Sequence, residues 1–566
     1  MDEHSVQVII PMSGFGERFR RAGYEIPKPL ISLEGKPIVA HVIAMFPGET
    51  DFIFVCNQEH LDEPSYRMAE TLRHYCPSGQ VVGILPHKLG PVHAVQQVAH
   101  LIRRDAPVIV NYCDFTCYWD WENFKHFVTD SGCVGAIPAY RGFHPHTLGN
   151  TNYAYLREVD GWVQDIQEKQ PYTSNRMEEF ASSGTYYFQS GAIMLQAFAE
   201  TKALQRHVGG EYYVSLCYKP LLAANQPVAV YPLQHFMQWG TPEDVSEYQM
   251  WSETFHALGT PSAPASAMAP SGSVIVPMAG LGQRFANEGY ALAKPLISVS
   301  GKHMVDQATA DLPAAQRHAF VLRSDMPGYD AVRTSLELAY APVVIETVDQ
   351  VTRGQACSAL VGLDALEKGF AGQDIGPVTF GACDNGALYD ARTLHALLAD
   401  ERIDVIVWAV RGHVNALRHP TMFGWIDADV DDGRIRRISV KESLANPATD
   451  PIVIGTFTFR RAGDARRSIA QLIANNRLVN GEFYLDSTIN EAIALGLNCH
   501  LFEVESFISW GTPNDLKIFE YWQSCFDKWE GHSYKMEADT RIPPEAIDAL
   551  RSRYGRLTPS IPAPRS

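Results

Sequence analysis

Apolar runs of strand length alternate with amphipathic stretches of helix length along the first part of the chain. The runs are continuous rather than alternating, which is typical of strands buried on both faces, and they read VQVII, DFIFVCN, QVVGIL and PVIVNYCDF. Between them the pattern predicts helices over 38–46, 64–75 and 93–103. Strands that alternate with helices predict an α/β domain with a mixed, mainly parallel sheet.

The pattern changes after Asp114, where aromatic residues and long polar segments become frequent. This part predicts antiparallel strands and long loops that form the substrate side of the domain. The domain closes at FMQWGTPEDVSEYQMW, where Pro242 and the acids after it predict the first turn of a helix.

One stretch of the chain occurs twice. VIIPMSGFGERFRRAGYEIPKPLISLEGK at 8–36 recurs as VIVPMAGLGQRFANEGYALAKPLISVSGK at 274–302, with 17 of 29 positions identical. The acid at Asp114 recurs at Asp384, and the closing WGTP recurs as well. We therefore predict two tandem domains over 1–256 and 273–525. An Ala/Pro/Ser linker would cover 257–272, and a partly disordered tail 526–566.

Composition limits the classes of function. The 566 residues carry a formal charge of −17, which argues against a protein that mainly holds nucleic acid or an anionic membrane surface. No apolar run approaches the roughly 20 residues that cross a bilayer, and the N-terminus lacks a secretory pattern. We expect a cytoplasmic protein without membrane insertion, whose ten scattered cysteines are free thiols.

The glycines of the repeated stretch suggest an anion site. Gly14 and Gly16 follow a strand and precede a helix-like segment, where glycine allows positive φ and close approach of backbone N–H groups to a ligand. The third glycine of the dinucleotide fingerprint is replaced by Phe19 and Phe285, so a Rossmann cofactor site is not indicated. A tight turn without a ligand remains the alternative.

Two cations accompany the glycines at fixed spacing in both copies. Arg18 and Lys28 recur as Arg284 and Lys294. Glycine amides that hold phosphates, with an arginine and a lysine that neutralise charge on phosphorus, predict a polyphosphate cradle.

The ordered motif P-M-[SA]-G-x-G-x-R-F…G-Y…K-P-L-I…G-K resembles the nucleotidyltransferases that join a nucleoside triphosphate to a sugar phosphate. The resemblance covers each repeat almost from end to end and is greatest to members near capsule and surface-polysaccharide pathways. It implies two Rossmann-like, GT-A-type domains. It also implies an enzyme that transfers NMP from an NTP to a phosphorylated small molecule, with a sugar phosphate as the expected acceptor, and releases pyrophosphate.

The resemblance also implies roles for individual residues. Catalytic contacts to the phosphates would come from Arg18, Lys28, Arg284 and Lys294. The nucleotide would be bound by Ser13, Gly14, Gly16 and Gly90, and by Ala279, Gly280, Gly282 and Gly354. The second substrate would be bound by Glu168, Lys169, Gly184, Lys441 and Gly455. Mg²⁺ would be bound by Asp114 and Asp384, which is consistent with carboxylates at the ends of buried strands.

Each copy departs from the family pattern. The second metal-binding aspartate before the closing G-T is replaced by Gln238 and Ser509, so either one carboxylate holds the metal or another acid substitutes. Asp486 is a candidate in the second copy, but Ser215 stands at its place in the first. The other departures are Val440 in the place of Glu168 and Ala293 in the place of Pro27.

Several alternatives stay open. One copy could be a non-catalytic nucleotide-binding or structural domain, and a GT-A glycosyltransferase that uses an NDP-sugar ranks below both. The pair Trp119 and Trp121 favours core packing over a sugar-stacking wall, and His144 and His146 favour a polar loop over a metal site. The sequence does not specify the NTP, the phosphorylated acceptor or whether the chain forms a homo-oligomer.

Overall fold

A computed structural model describes residues 5–260, 271–553 and 559–562. The chain divides into two compact units. The first consists of Met1–Gln249, Asp527–His532 and Tyr554–Ser566, and the second of Met250–Phe526 and Ser533–Arg553. Each unit contains one copy of the repeated stretch.

The first unit is built from short strands and helices. Its strands are β1 (Gln7–Met12), β2 (Ser32–Leu33), β3 (Lys36–Pro37), β4 (Phe52–Asn57), β5 (Gln80–Ile84), β6 (Val108–Asn111), β7 (Phe115–Tyr118), β8 (Gly135–Tyr140), β9 (Ala154–Val159), β10 (Trp162–Glu168), β11 (Phe180–Ser182), β12 (Thr185–Phe188), β13 (Val228–Leu233) and β14 (His235–Gln238). Its helices are α1 (Glu17–Arg21), α2 (Ile38–Ala44), α3 (Gln58–Asp62), α4 (Met68–Tyr75), α5 (Pro91–Gln97), α6 (Trp121–Asp130), α7 (Gly191–Ala203) and α8 (Tyr218–Ala223). Helix α9 (Pro242–Gly259) begins in this unit, and its residues from Met250 onward belong to the second unit.

The described residues of this unit form a ten-stranded sheet in the order β11-β9-β10-β13-β8-β12-β6-β1-β4-β5. Strand β1 lies between β4 and β6 and is parallel to both. The carboxyl ends of β1 and β6 therefore meet at one edge of the sheet, which brings the glycine loop after β1 close to Asp114 after β6. Strand β7, which follows Asp114, pairs with β14 in a separate ladder.

The second unit has the same kinds of element. Its strands are β15 (Ser273–Pro277), β16 (Ser298–Val299), β17 (Lys302–His303), β18 (Arg317–Arg323), β19 (Val343–Val348), β20 (Val378–Phe380), β21 (Asn385–Leu388), β22 (Val405–Val410), β23 (Gly424–Ala428), β24 (Ile435–Val440), β25 (Ile452–Phe459), β26 (Cys499–Glu503) and β27 (Ser506–Ser509). Its helices are α10 (Gln283–Asn287), α11 (Met304–Ala310), α12 (Tyr329–Ala339), α13 (Gln355–Gly369), α14 (Ala391–Ala399), α15 (Val414–Arg418), α16 (Ala462–Ala474), α17 (Leu485–Ala494), α18 (Pro513–Lys528) and α19 (Ile547–Arg553).

Nine strands of its described residues form one sheet, with β19-β18-β15-β20-β25-β22-β26 in order and the hairpin β23–β24 joined through β25. Strand β15 is parallel to its neighbours β18 and β20. Asp384 follows β20 as Asp114 follows β6, so the second glycine loop and its acid also lie at one sheet edge.

The core of each unit confirms the interpretation of the continuous apolar runs. In β1 and β4 the apolar side chains are buried on both faces of the sheet. A single cluster joins Ile9 and Val55 with helix residues such as Val95 and Met194. In the second unit Ile275 occupies the matching cluster. This burial fixes strand register and hence the position of the loops.

The predicted mixed sheets are confirmed, but parallel and antiparallel pairs occur in similar numbers rather than mainly as parallel pairs. Parallel pairing is confined to β5-β4-β1-β6 and to the pair β8–β13 in the first unit, and most of its other strands pair antiparallel. The antiparallel pairs lie mostly among the strands after Asp114, as predicted for that part of the domain, and they include the hairpin of β9 and β10.

Two predicted helices are each divided. Over 64–75 a 3-10 turn precedes α4, because Arg67 has a left-handed φ of 48°. Over 93–103 helix α5 ends at Gln97 and a 3-10 turn follows. Helix α9 includes the first three residues of the predicted linker; residues 261–270 of that linker lie outside the described residues.

The predicted tail is folded over much of its length. Tyr534, Met536 and Ile542 are buried, and α19 follows them. Residues 533–553 of the tail are thus a folded part of the second unit, and the disorder predicted for part of the tail stays a prediction. The end TPSIPAPRS lies outside the described residues except for 559–562. Among the described residues, no helix is both long enough and apolar enough to cross a membrane.

Candidate active site

The glycine loop of the first unit runs from the end of β1 into α1. Gly16 is the N-cap of α1 with φ 64°, a left-handed conformation that favours glycine. Gly282 has the same role at α10, with φ 62°. At Gly14 and Gly280 a Cβ would meet no heavy atom within 4 Å, so these two glycines leave the loop open to a ligand.

A cavity of about 520 Å³ lies against this loop in the first unit. Of the predicted site residues, Ser13, Gly14, Gly16, Lys28, Gly90 and Asp114 line it. The structure therefore brings together the predicted phosphate loop, the predicted catalytic lysine and the predicted metal ligand. Arg18, Glu168, Lys169 and Gly184 are not among the lining residues.

Lys28 and Asp114 form an ion pair in the cavity. The Nζ of Lys28 donates to Oδ2 of Asp114 at 2.7 Å, and both side chains are about a quarter exposed or less. Burial acts to lower the pKa of Lys28, but the charge and hydrogen bond of Asp114, together with Cys113, leave that pKa above its ordinary value. Lys28 is therefore cationic at neutral pH, as a phosphate-binding group must be.

The same pair occurs in the second unit. The Nζ of Lys294 donates to Oδ2 of Asp384 and, at 3.0 Å, to the carbonyl oxygen of Gly511. Burial acts to lower the pKa of Lys294, and Asp384 again raises it above the ordinary value. Lysine and aspartate thus meet in both units, 86 and 90 residues apart in sequence.

The carboxylates suit a hard cation. Asp114 lies on the cavity wall, and a Cβ at Gly240 would be 3.2 Å from its Oδ2 and 2.4 Å from the side-chain amide of Gln238. A carboxylate with a neighbouring glutamine amide is a donor set that Mg²⁺ accepts, with phosphate oxygens completing its shell. In the second unit Asp384, Ser509 and Asp515 surround Gly511 in the same way.

Asp515 is committed to other contacts. Its Oδ2 accepts from the backbone N–H and hydroxyl of Thr512, at 3.0 and 2.7 Å, and its Oδ1 accepts from Asn415. It caps α18, and Asp244 has the corresponding contact with Thr241 in the first unit. Asp486, the other candidate, lies beside Gly424 instead.

Gly90 and Gly354 make close backbone contacts. Each glycine directly precedes a helix and has a positive φ, which is 85° at Gly90 and 127° at Gly354. A Cβ at Gly90 would lie 2.7 Å from the backbone of Tyr212, and one at Gly354 would lie 2.5 Å from the backbone of Phe483. Any side chain at these positions would displace the backbone next to Tyr213 in the first unit or Tyr484 in the second.

Arg18 and Arg284 are exposed, and no ion pair or side-chain hydrogen bond involves either within the ranges described by the structure. Their charges act on Lys28 and Lys294, whose pKa values they lower in part. Both guanidinium groups are therefore near the cavity lysines, while they remain accessible to solvent.

Lys169 and Lys441 share an unusual backbone. Both have left-handed φ angles, 60° and 64°, and each N–H donates to the preceding hairpin strand. The ammonium groups lie over tyrosine rings, at 4.5 Å from the centroid of Tyr213 and 5.3 Å from that of Tyr484. Lys169 also donates to the hydroxyl of Tyr213 at 2.6 Å, which connects it to the cavity wall.

A partly buried carboxyl group accompanies each of these lysines. In the first unit Glu168 accepts from Ser215 at 2.5 Å, and burial raises the pKa of Glu168 to about 7. In the second unit Val440 replaces Glu168 and Asp486 replaces Ser215; burial raises the pKa of Asp486 to about 6. The carboxyl group beside the lysine is thus on strand β10 in the first unit and on helix α17 in the second.

A third position changes with the acid. Ala154 pairs with Glu168 in the first unit, and Gly424 pairs with Val440 in the second. A Cβ at Gly424 would lie 2.4 Å from Oδ2 of Asp486. The glycine therefore makes room for the relocated carboxylate.

Gly184 directly precedes β12 and Gly455 lies within β25, with φ angles of 98° and 82°. Gly184 is buried against the rings of Tyr112 and Phe115, and its carbonyl accepts from the N–H of Tyr112. Gly184 thus positions cavity residues. The second-substrate role that we predicted for both glycines stays a prediction.

Part of the cavity wall is formed by residues for which the sequence predicted no role. The residues without a predicted role include Glu211, Tyr213, His60, His87 and Lys88. Tyr213 donates to Glu211, and both recur as Tyr484 and Glu482 within G-E-[YF]-Y. That recurrence was the available signal, whereas the histidines and Lys88 are found in the first copy alone.

The tryptophan pair and His144 lie in packed parts of the first unit. Trp121 is buried among Phe46 and Phe124, which confirms core packing for it, and the partly exposed Trp119 joins the same aromatic cluster. His144 is buried beside Tyr140, and burial lowers its pKa to about 4. The cysteines are free thiols, as expected.

Comparisons with known proteins give one family. Residues 7–240 match the family model for nucleotidyl transferases. Mannose-1-phosphate guanyltransferase 2 of Candida glabrata is 24% identical over 203 residues, 33% of this chain and 51% of that protein. Mannose-1-phosphate guanyltransferase of Debaryomyces hansenii is 23% identical over 247 residues, 42% of this chain and 61% of that protein. The chain spans between half and two thirds of these relatives.

Solved structures also match. A nucleoside-diphosphate-sugar pyrophosphorylase from Vibrio cholerae RC9 is 21% identical, with a TM-score of 0.37; the match covers 44% of this chain and 98% of that one. An inositol-1-phosphate CTP transferase from T. maritima is 13% identical, with a TM-score of 0.35; the match covers 45% of this chain and 96% of that one.

Proposed function

We propose that this chain transfers NMP from an NTP to a phosphorylated sugar and releases pyrophosphate, because residues 7–240 match the family model for nucleotidyl transferases. The observation that carries the proposal is the lysine–aspartate pair beside a glycine loop, Lys28 with Asp114, which recurs as Lys294 with Asp384. The two units are, in this proposal, tandem copies of one domain, each with its own site.

The reaction needs positioning and charge neutralisation rather than a protein nucleophile. A phosphate oxygen of the acceptor attacks the α-phosphorus, a new P–O bond forms, and the α–β bond breaks with release of pyrophosphate. Backbone N–H groups of 13–16 would hold the triphosphate. Lys28 and Arg18 would neutralise the charge that develops on it.

Asp114 would hold Mg²⁺, which when bound neutralises phosphate charge and orients the triphosphate. Lys169 would bind the acceptor phosphate, and Lys441 would do so in the second unit. Tyr213 and Glu211 connect Lys169 to the cavity, so they would place the acceptor opposite the nucleotide.

The relatives suggest the first substrates to assay. Both are named for mannose 1-phosphate and guanyl transfer, so GTP with mannose 1-phosphate is the first pair, followed by the other NTPs and hexose 1-phosphates. The product would be a nucleoside diphosphate sugar, and synthesis of surface-polysaccharide precursors is part of the same proposal.

Separate substitution of the two lysines tests the proposal. We expect Lys28→Met and Lys294→Met each to lower pyrophosphate release in part, and the double variant to lower it by at least about 100-fold, because each removes one charge from one site. The exposed Lys368 provides a control, and Lys368→Met should keep full turnover.

The other outcomes separate the alternatives. If either single variant loses all turnover, the other unit is non-catalytic. If the wild-type chain releases no pyrophosphate from any NTP but hydrolyses an NDP-sugar, the chain is a glycosyltransferase and the proposal fails.

A further inference from the structure

The glycine loop of the second unit has a brace that the first unit lacks. At the carboxyl end of β18, next to β15, the Nη1 of Arg323 donates to the carbonyl oxygens of Ala279 at 3.2 Å and Gly280 at 2.9 Å. The Nε of Arg323 pairs with Asp325, which fixes the guanidinium group. Arg323 is 5% exposed, so the brace lies beneath the loop rather than in its mouth.

The corresponding position in the first unit is Asn57, at the end of β4. Its Oδ1 accepts from the N–H of Glu59 and caps α3, and its Nδ2 makes no hydrogen bond to any residue that the structure describes. Within the same described ranges, no hydrogen bond reaches the carbonyl oxygen of Ser13 or Gly14. The two loops have similar sequences but different support.

Peptide geometry gives the brace a consequence for ligand binding. The C=O and N–H of one trans peptide point in opposite directions. When Arg323 holds the carbonyls of Ala279 and Gly280, the N–H groups of Gly280 and Leu281 are directed to the other side, where the loop is open. The buried guanidinium also adds positive potential beneath the loop.

We propose that Arg323 is a positioning residue that preorganises the phosphate loop of the second unit, so that this loop binds a polyphosphate without the ordering cost that the first loop incurs. Preorganisation improves affinity by reducing that cost. The inference rests on the proposed function, because it takes the glycine loops to be phosphate sites. It predicts two binding sites of unequal affinity, the tighter of them in the second unit.

The test uses the full chain with one loop silenced at a time. Gly14→Asp and Gly280→Asp each place a carboxylate in one loop, at positions where the new side chain meets no atom and the backbone needs no positive φ. The probe is inorganic triphosphate with Mg²⁺, titrated by calorimetry, because it is independent of the nucleotide base.

We expect Gly14→Asp to retain the tighter site, and Arg323→Met in that background to weaken triphosphate binding by about tenfold. Arg323→Lys should give an intermediate loss, since it keeps the charge but not the paired geometry. In the Gly280→Asp background, Asn57→Ala is the matched control and should change affinity by less than twofold.

A merely structural role would lower the melting temperature of the unliganded chain and leave the triphosphate affinity unchanged at temperatures well below melting. That result, or equal affinity in Gly14→Asp with and without Arg323→Met, would overturn the inference while the proposed function stands. If the wild-type chain binds no triphosphate at either loop, the proposed function itself fails.

Discussion

At the scale of single residues, Glu168 beside Lys169 illustrates how burial changes the pKa of a carboxyl group. Glu168 accepts a hydrogen bond from Ser215, and burial raises the pKa of Glu168 to about 7. A carboxyl group whose pKa is higher in the folded than in the unfolded chain contributes stability at low pH. That contribution declines as pH rises from the unfolded value, about 4.3, through 7.

Glu168→Gln should therefore flatten the pH dependence of stability. As pH rises from 5 to 8, we expect the free energy of unfolding of the variant to increase relative to wild type by on the order of 2 kcal/mol, after allowance for partial exposure. Urea unfolding at a series of pH values measures the effect. Ser215→Ala is the companion variant: it removes the donor that favours the ionised form, so the decline should move to higher pH. An unchanged profile in both variants would contradict this account.

Local sequence predicted some of these residues and not others. Lys28 and Asp114 were identifiable because both recur in the second copy, and the parallel strands before them end at one sheet edge. Arg323 was not identifiable, because its counterpart Asn57 differs in size, charge and partner. A contact made by one copy leaves no repeated pattern in the sequence.

At the scale of elements, the segment 533–553 is an integral part of the second unit. Arg541 pairs with Asp311 at 2.9 Å, and both side chains are almost buried. The guanidinium lies 5.7 Å from the ring centroid of Trp510, and Asp311 accepts from the N–H of Ala387 on β21. Because β21 directly follows Asp384, this segment supports the strand next to the predicted metal ligand.

Arg541→Met should destabilise the second unit by about 3 kcal/mol, because it leaves the buried Asp311 unpaired. Asp311→Asn in the same chain should recover part of the loss. Scanning calorimetry measures both, and Arg333→Met, which removes an exposed helix pair with Glu337, should change stability by less than about 0.5 kcal/mol. Equal losses in Arg541→Met and Arg333→Met would exclude the supporting role.

Element types were largely predictable from the apolar runs, but the burial of a strand did not by itself predict its direction. Continuous runs such as DFIFVCN show burial on both faces, and β4 has that burial. Antiparallel strands such as β12 are equally buried, since helices cover them too. Burial therefore indicates that a strand is central without indicating its direction, which depends on the connections between strands.

At the scale of the whole molecule, the two proposed triphosphate sites predict how ligands stabilise the chain. A ligand bound by the native state alone, at 100 times its dissociation constant, stabilises that state by about 2.7 kcal/mol per site. GTP with Mg²⁺ should therefore raise the melting temperature, and EDTA should remove most of the rise if Asp114 and Asp384 hold the metal. The chain with both Gly14→Asp and Gly280→Asp should show no rise, and an undiminished rise there would place the nucleotide elsewhere.

The exchange of acids between the units has an evolutionary consequence. Glu168, Ala154 and Ser215 form one compatible set, and Val440, Gly424 and Asp486 form another. Gene conversion of the strand hairpin alone would leave one unit with no acid beside its lysine or with two acids in one space. A conversion that keeps one acid beside each lysine would therefore have to transfer all three positions together.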